Sequence, residues 1–175
     1  MYKEGDEQKR QAFKTTLAKT PANQIAYVDE SGMDEFIYRE YARAPRGEKA
    51  YGVISGKKYK RVSVVAAQCE GRIFAPLEYE GTTDSVLFEY WFEHIFLPEL
   101  SPGYLIVMDN ASFHRKGILS LMAEKAGCSL LFLPPYSPDL NPIEHFWAWL
   151  KRKLRELLPQ FDSLDDALAA CFQFG

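Results

Sequence analysis

Two aspartates each follow a short apolar run that is typical of a buried strand. Asp29 ends the run IAYVD, which begins at Ile25, and Asp109 follows YLIVM, residues 104–108. In open α/β sheets, ligands bind outside the carboxyl ends of the strands. If these strands are parallel neighbours, about 4.8 Å separates them, and two carboxylates that close need a cation between them. Oxygen ligands favour Mg²⁺ or Mn²⁺, although either residue alone would more often be a turn residue or a helix cap.

A third acidic residue, Glu144, stands at the start of a long amphipathic stretch. The run Asn141–Glu144 (NPIE) predicts the N-cap and first three positions of a helix that extends to about Leu158. One interpretation of Glu144 is that it caps its helix as a capping-box partner and has no other role. It also lies off the apolar face of the helix, in one row with Ala148, Lys151 and Arg155. That row could follow a phosphate backbone that leads away from an acidic site.

Basic residues are unevenly distributed along the chain. The net charge of −3, from 21 basic and 24 acidic residues, weakly disfavours a nucleic-acid partner. Two basic clusters, within residues 43–61 and 151–155, favour such a partner, unless they are only solvated surfaces. His114, five residues after Asp109, either has a structural role beside that residue or contacts DNA. The candidate DNA contacts are Arg46, Lys57, Lys58, Lys60, Arg61, His114, Lys151 and Arg155.

Positioning these residues requires a sheet covered by helices. A chain of 175 residues predicts one domain with a short arm, here a helical arm or linker over 1–24 and a main domain over 25–175. Strands are predicted over residues 25–29 (ended by Ser31-Gly32), 61–69, 72–77, 104–108 and 129–133, with a further candidate over 36–43. Helices are predicted over residues 4–19, from Thr82 or Thr83 to Pro98, and over 116–126, 142–158 and 163–170. A β-meander followed by βαβ units implies a mixed sheet with right-handed crossovers.

The three cysteines are widely spaced and form no CxxC pair, which argues against a zinc ribbon or a thioredoxin-like site. The N-terminal residues carry no apolar segment of the secretory kind. No apolar run reaches the roughly 18 residues that a membrane span needs. We therefore expect a soluble, intracellular protein with reduced thiols.

Three blocks of the sequence resemble a known family. PPYSPDLNPIEHFW (134–147), MDNASFH (108–114) and YVDESG (27–32) are similar to the DDE transposases of the Tc/mariner superfamily, and most similar to the insertion-sequence-630 branch. Thirty-four residues separate Asp109 from Glu144, which fits that family. The resemblance covers about residues 10–170, and SPDLNPIE is far more specific than three acidic residues alone.

The resemblance implies an RNase H-like α/β fold over residues 25–175, with a mixed five-stranded sheet flanked by helices. It implies that Asp29, Asp109 and Glu144 are the catalytic residues and the ligands of two Mg²⁺ ions, with Mn²⁺ as a substitute. Such a site would activate water to cut a phosphodiester, and the released 3′-OH would then attack target DNA, typically at TA sites. The implied function is metal-dependent DNA strand cleavage and strand transfer.

The resemblance also implies partners and a location. These partners are the transposon ends, the target DNA and a second copy of the chain in the active complex. Members of the family usually carry a helix-turn-helix module before the catalytic domain, whereas about 24 residues precede the first predicted strand here. That module would have to act in trans or through a frameshift fusion. The expected location is the bacterial cytoplasm, with association to the nucleoid when the protein is bound to DNA.

Two alternatives stay open at this point. The first is another RNase H-like nuclease, for example one that acts on junctions or hybrids, which the 34-residue spacing and SPDLNPIE argue against. The second is a non-catalytic DNA-binding or regulatory remnant of a transposable element. The presence of acidic residues at all three positions argues against that second alternative without excluding it.

Overall fold

The computed structural model describes residues 4–34 and 61–173. The strand candidate over residues 36–43 and most of the first basic cluster lie outside the described residues. The same is true of four predicted DNA contacts: Arg46, Lys57, Lys58 and Lys60.

The described chain contains a mixed five-stranded sheet, as predicted. Its strands are β1 (Ile25–Asp34), β2 (Arg61–Cys69), β3 (Arg72–Glu80), β4 (Leu105–Met108) and β5 (Ser129–Phe132), and their order across the sheet is β3-β2-β1-β4-β5. The first three strands form an antiparallel meander, whereas β4 pairs in parallel with both β1 and β5. The parallel neighbours expected for the two aspartates, β1 and β4, are therefore adjacent.

Within residues 4–34 and 61–173, five α-helices accompany the sheet. They are α1 (Glu4–Leu17), α2 (Ser85–Trp91), α3 (Lys116–Lys125), α4 (Ile143–Leu157) and α5 (Leu164–Gln173). The start of α2 lies slightly later than predicted, because Asp84 caps it by accepting a 2.8 Å hydrogen bond from the amide of Leu87. The chain continues from α2 through a π-helical turn and a 3₁₀ turn to Glu99.

The two faces of the sheet bury separate hydrophobic clusters. On one face, Val28 and Val65 pack with Phe88 and Trp91 of α2. On the other face, α4 and α5 cover β2 with the side chains Ile143, Trp147, Leu150, Leu154, Leu164 and Leu168. A third cluster joins Phe13 of α1 to the region beneath β4 and β5. Because alternate side chains of a strand point to opposite faces, consecutive residues of β1 reach different helical layers.

The first strand is longer than the sequence analysis predicted. Ser31 and Gly32 do not end β1, which stays paired with β2 as far as the Asp34–Arg61 pair. A Cβ on Gly32 would lie 2.5 Å from Nη2 of Arg61, so the glycine makes room for that guanidinium inside a continuous strand. β3 likewise runs past its predicted end at Leu77 to Glu80.

Among the helices of residues 4–34 and 61–173, none combines the length and apolar character that crossing a lipid bilayer requires.

Candidate active site

Asp29 and Asp109 approach each other at the carboxyl ends of β1 and β4. The parallel register of these strands ends with Tyr27 opposite Val107, and each aspartate follows two residues later. Both side chains line an open cleft of about 380 Å³, which Glu144 also lines. The structure therefore brings the three predicted acidic residues to one cleft.

The Asp29 carboxylate is held from three directions. Its Oδ1 accepts a 2.9 Å hydrogen bond from the amide of Glu30. Its Oδ2 accepts a 3.2 Å hydrogen bond from the indole Nε1 of Trp147 and a 3.4 Å contact from Nδ2 of Asn141. Because both side-chain donors come from the segment that begins α4, the orientation of Asp29 depends on the same helix that carries Glu144.

Burial and nearby negative charges disfavour the ionised form of Asp29. Its pKa is raised from 3.8 to about 7, chiefly by burial and next by the nearby carboxylate of Glu144, with Asp109 adding a smaller effect. The hydrogen bonds from Glu30 and Trp147 oppose this rise. A cation in the cleft would replace the proton on Asp29, since it would stabilise the ionised carboxylate.

The pKa of Asp109 is shifted in the opposite direction from that of Asp29. Burial raises the pKa of Asp109, but hydrogen bonds from His114 and from the Ala111 amide outweigh burial and leave the pKa below its usual value. The Ala111 amide lies 3.2 Å from Oδ1, and Nδ1 of His114 also lies 3.2 Å from Oδ1. Asp109 is therefore an ionised carboxylate beside a second carboxyl, Asp29, that loses its proton only near pH 7.

His114 lies beneath the cleft. Its side chain is 1% exposed and is enclosed by Phe88 and Phe113, whose ring centroids lie 4.3 Å and 4.4 Å from that of the imidazole. The DNA contact predicted for His114 would require the side chain to leave this position. Contact with Asp109 is the role that the structure gives it, which was the alternative in the sequence analysis.

Glu144 occupies the first turn of α4 and is exposed on the cleft side. The predicted capping arrangement is wrong in one respect, because α4 has no side-chain cap and Pro142 rather than Asn141 precedes its first residue. Asn141 is buried, and its amide points to Asp29 instead. Without a cap to complete, Glu144 is free to act in the cleft.

Glu30 is neither a turn residue nor a fully exposed one, because it lies within β1. The residue is half-buried, and its Oε2 is buried without a protein hydrogen-bond partner. Burial raises its pKa to about 8, with contributions from Asp29 and Asp109. The sequence signal was its position directly after Asp29, which places it on the opposite face of β1 if the strand continues.

Two further cleft features were not anticipated. Trp147, which belongs to the core beneath α4, also donates to Asp29. Tyr136 lines the cleft with 79% of its surface exposed and with φ +55°, a strained conformation that often accompanies functional loops.

The loop that contains Tyr136 is attached to the N-terminal helix. Arg10 donates 3.0 Å and 2.5 Å hydrogen bonds to the two carboxylate oxygens of Asp139, and a third of 2.9 Å to Ser137. Phe13 of the same helix is buried against the core. The arm thus packs on the domain, directly beside the segment that leads to Glu144.

The remaining predicted DNA contacts lie at two places. Lys151 and Arg155 follow Glu144 along one side of α4, half-buried and exposed respectively, in the row that the sequence predicted. Arg61 is exposed at the start of β2, with its guanidinium over Gly32. No structural feature of these positions tests DNA contact directly.

The donor set of the cleft suits a hard divalent cation. Asp29, Asp109 and Glu144 offer carboxylate oxygens, which Mg²⁺ and Mn²⁺ prefer. The raised pKa of Asp29 agrees with this preference. Burial and the neighbouring carboxylates make the ionised form of Asp29 unfavourable, and a bound cation would offset that cost. A separate set of donors from Glu30, Asp109 and His114 lies within 4.8 Å of one another.

Comparison with known proteins places the chain in a family. The family described as DDE superfamily endonuclease matches residues 24–166. This chain belongs to the DDE superfamily endonucleases. The match includes all three acidic residues of the cleft.

Curated relatives of this DDE domain include transposases. The Tcb1 transposase of Caenorhabditis briggsae is 34% identical over 79 residues, which cover 43% of this chain and 29% of the relative. The Tc1 transposase of Caenorhabditis elegans is 32% identical over 78 residues, covering 40% and 29%. These matches support the Tc/mariner resemblance, although the chain spans less than a third of either relative. They do not distinguish the insertion-sequence-630 branch, which stays a prediction.

Solved structures confirm the fold. The Mos1 transposase paired-end complex with left transposon end matches with a TM-score of 0.73 at 15% identity, over 99% of this chain and 55% of that one. The Mos1 transposase catalytic domain with Raltegravir and Mg matches with a TM-score of 0.65 at 14% identity, over 99% and 84%. The predicted RNase H-like arrangement, a mixed five-stranded sheet flanked by helices, is therefore correct.

Proposed function

We propose that this DDE domain cuts DNA strands and joins them to target DNA, with Asp29, Asp109 and Glu144 as the catalytic metal ligands. The convergence of these three carboxylates on one open cleft carries the proposal. The raised pKa of Asp29 supports it, because a buried carboxyl beside two others is suited to hold a cation. The transposases among its relatives support DNA as the substrate.

Two Mg²⁺ ions, or Mn²⁺ in their place, would supply a nucleophilic water and would stabilise the attacking and leaving oxygens. The chain contributes the geometry. Asp109 extends from β4 as an ionised ligand held by His114, while Trp147 and Asn141 keep Asp29 turned toward the cleft. Glu144 faces them from the first turn of α4.

The DNA backbone would follow α4 away from the carboxylates. Lys151 and Arg155 continue the row of Glu144, so they would neutralise phosphates as the strand leaves the cleft. His114 is too buried to join them, and the contribution of Arg46, Lys57, Lys58, Lys60 and Arg61 is proposed from the sequence alone.

The partners proposed for this activity are transposon ends, target DNA cut at TA sites and a second copy of the chain. A helix-turn-helix segment, in trans or as a frameshift fusion, would supply recognition of the ends. The Mos1 complexes, whose fold matches, contain transposon-end DNA. A bacterial cytoplasmic location, with the nucleoid as the site of action, follows from the resemblance to the insertion-sequence-630 branch.

The test is strand cleavage and joining on duplex DNA with added Mg²⁺. Asp29→Asn, Asp109→Asn and Glu144→Gln should each abolish product, whereas Asp34→Asn, an exposed carboxylate on the same strand as Asp29, should not. Wild-type rates from any of the three variants at saturating Mg²⁺ would remove that residue from the site.

The same assay separates the alternatives. Cleavage without joining of the 3′-OH to a second duplex would favour a nuclease over a transposase. DNA binding without cleavage, in protein that binds Mg²⁺ normally, would favour a regulatory remnant. Activity that persists in excess chelator would refute the metal mechanism altogether.

A further inference from the structure

A second set of metal-binding side chains lies on the other side of Asp109. One donor atom each from Glu30, Asp109 and His114 lies within 4.8 Å of the others. Glu30 follows Asp29 in β1 and so points to the opposite face of the sheet. That face is covered by α2, whose Phe88 contacts His114. The set therefore shares only Asp109 with the proposed catalytic cleft.

One buried oxygen of this set, Oε2 of Glu30, has no protein partner. His114 as a whole residue is 6% exposed, so bulk water does not solvate the imidazole. Buried polar atoms are paired in almost all folded proteins, and an unpaired group at a cluster of donors calls for a bound partner.

The distances suit a borderline divalent ion. Nδ1 of His114 lies 3.2 Å from Oδ1 of Asp109, so an ion bound by both atoms would replace the hydrogen bond between them. Two ligands that each lie about 2.0–2.1 Å from a tetrahedral Zn²⁺ are separated by roughly 3.3 Å. An imidazole nitrogen favours Zn²⁺, Co²⁺ or Mn²⁺ over Mg²⁺, which prefers oxygen alone. The rings of Phe88 and Phe113 both pack against the imidazole, as the hydrophobic shell around a metal site does.

We propose that Glu30, Asp109 and His114 form a binding site for a Zn²⁺-class ion, separate from the oxygen-only cleft. The two carboxylates and the imidazole would be three of its ligands, with the fourth position open. One consequence rests on the proposed function: an ion held here engages Asp109, so Zn²⁺ should compete with Mg²⁺ for the cleft. The binding itself does not depend on any catalytic activity.

The test measures metal binding without DNA, in a tag-free chain. The double variant Asp29→Asn/Glu144→Gln weakens the oxygen-only cleft and serves as the background. Calorimetric titration with Zn²⁺ should give one ion per chain. Adding His114→Gln or Glu30→Gln should lower the affinity at least about tenfold. The matched control is His94→Gln, because His94 is exposed on the surface and lies outside the set.

A spectroscopic readout covers the case in which His114→Gln fails to fold. Mn²⁺ bound to the folded background variant should show directly coordinated nitrogen in pulsed electron paramagnetic resonance. Unchanged Zn²⁺ affinity in folded His114→Gln, loss of binding in His94→Gln, or a Mn²⁺ spectrum without nitrogen coupling would each overturn the site. Failure of the wild-type chain to cleave DNA would leave these results unaffected, so the two proposals fail separately.

Discussion

Replacing Asp29 with Asn should destabilise the protein at acidic pH and stabilise it at alkaline pH. The pKa of Asp29 is 3.8 in an exposed reference state and about 7 in the folded protein. A folded-state pKa that is raised in this way stabilises the protein below about pH 4, and the stabilisation is lost as pH rises through 7. The difference of about 3 units corresponds to about 4 kcal/mol of unfolding free energy that wild type loses over that interval.

Asparagine carries no charge to desolvate, so the variant avoids this loss. Its amide oxygen can still accept from Trp147 and Asn141, which both donate to one oxygen of Asp29. Its NH₂ group would then face the amide of Glu30, and the hydrogen bond made there by Oδ1 would be lost. That loss costs about 1–3 kcal/mol at any pH. We expect Asp29→Asn to be less stable than wild type by about 1–3 kcal/mol at pH 4, and more stable by a similar amount at pH 8.

The assay is urea unfolding followed by tryptophan fluorescence, in chelator, from pH 4 to pH 8. Asp34→Asn, an exposed carboxylate at the end of β1, is the matched control and should change little. Because the charge of Asp29 contributes to the raised pKa of Glu30, the variant also lowers that pKa, which adds to its gain in stability at pH 8. A difference in unfolding free energy with the same sign at pH 4 and pH 8 would refute the claim that Asp29 is buried among like charges.

Three other results are expected. Mg²⁺ affinity should rise up to about tenfold per pH unit below pH 7, because the cation displaces the proton of Asp29. Calorimetry at pH 6 and pH 7 measures this, and equal affinities at the two pH values would contradict it. Arg10→Gln and Asp139→Asn should each destabilise the chain only slightly in urea unfolding, and the double variant should lose less than the sum of the two. Additive losses would show that this pair does not couple the arm to the loop. The double variant Lys151→Ala/Arg155→Ala should reduce the slope of log affinity for duplex DNA against log salt concentration by up to about two units, whereas Lys125→Ala on α3 should not. An unchanged slope in the double variant would show that the DNA does not follow α4.

The sheet and the position of its two aspartates could be predicted from the sequence for a physical reason. A run that is apolar on both faces, such as 104–108, suits a central parallel strand covered by helices, and the residue after it must emerge at the carboxyl edge. Asp109 and Asp29 obey this rule, because β4 and β1 are parallel neighbours. The helical row from Glu144 to Arg155 followed from helical spacing alone.

What the sequence did not indicate depends on contacts between distant segments. Ser31-Gly32 has the composition of a turn, but pairing with β2 and the guanidinium of Arg61 over Gly32 keep the strand intact. Glu30 therefore points into the molecule rather than away from it. Asn141 is a residue type that favours the N-cap of a helix, yet its side-chain amide contacts Asp29, which lies 112 residues away in sequence. No local pattern shows that Trp147 or Arg10 would find partners so far away.

The location of the bound metal tests the central claim most directly. The measurement is a crystal structure of the chain grown with Mn²⁺, with the ion located by its anomalous scattering. The proposed mechanism predicts anomalous density in the cleft, at coordination distance of about 2.0–2.2 Å from carboxylate oxygens of Asp29, Asp109 and Glu144. Density only between Glu30, Asp109 and His114, or a cleft without Mn²⁺ at saturating concentration, would contradict it.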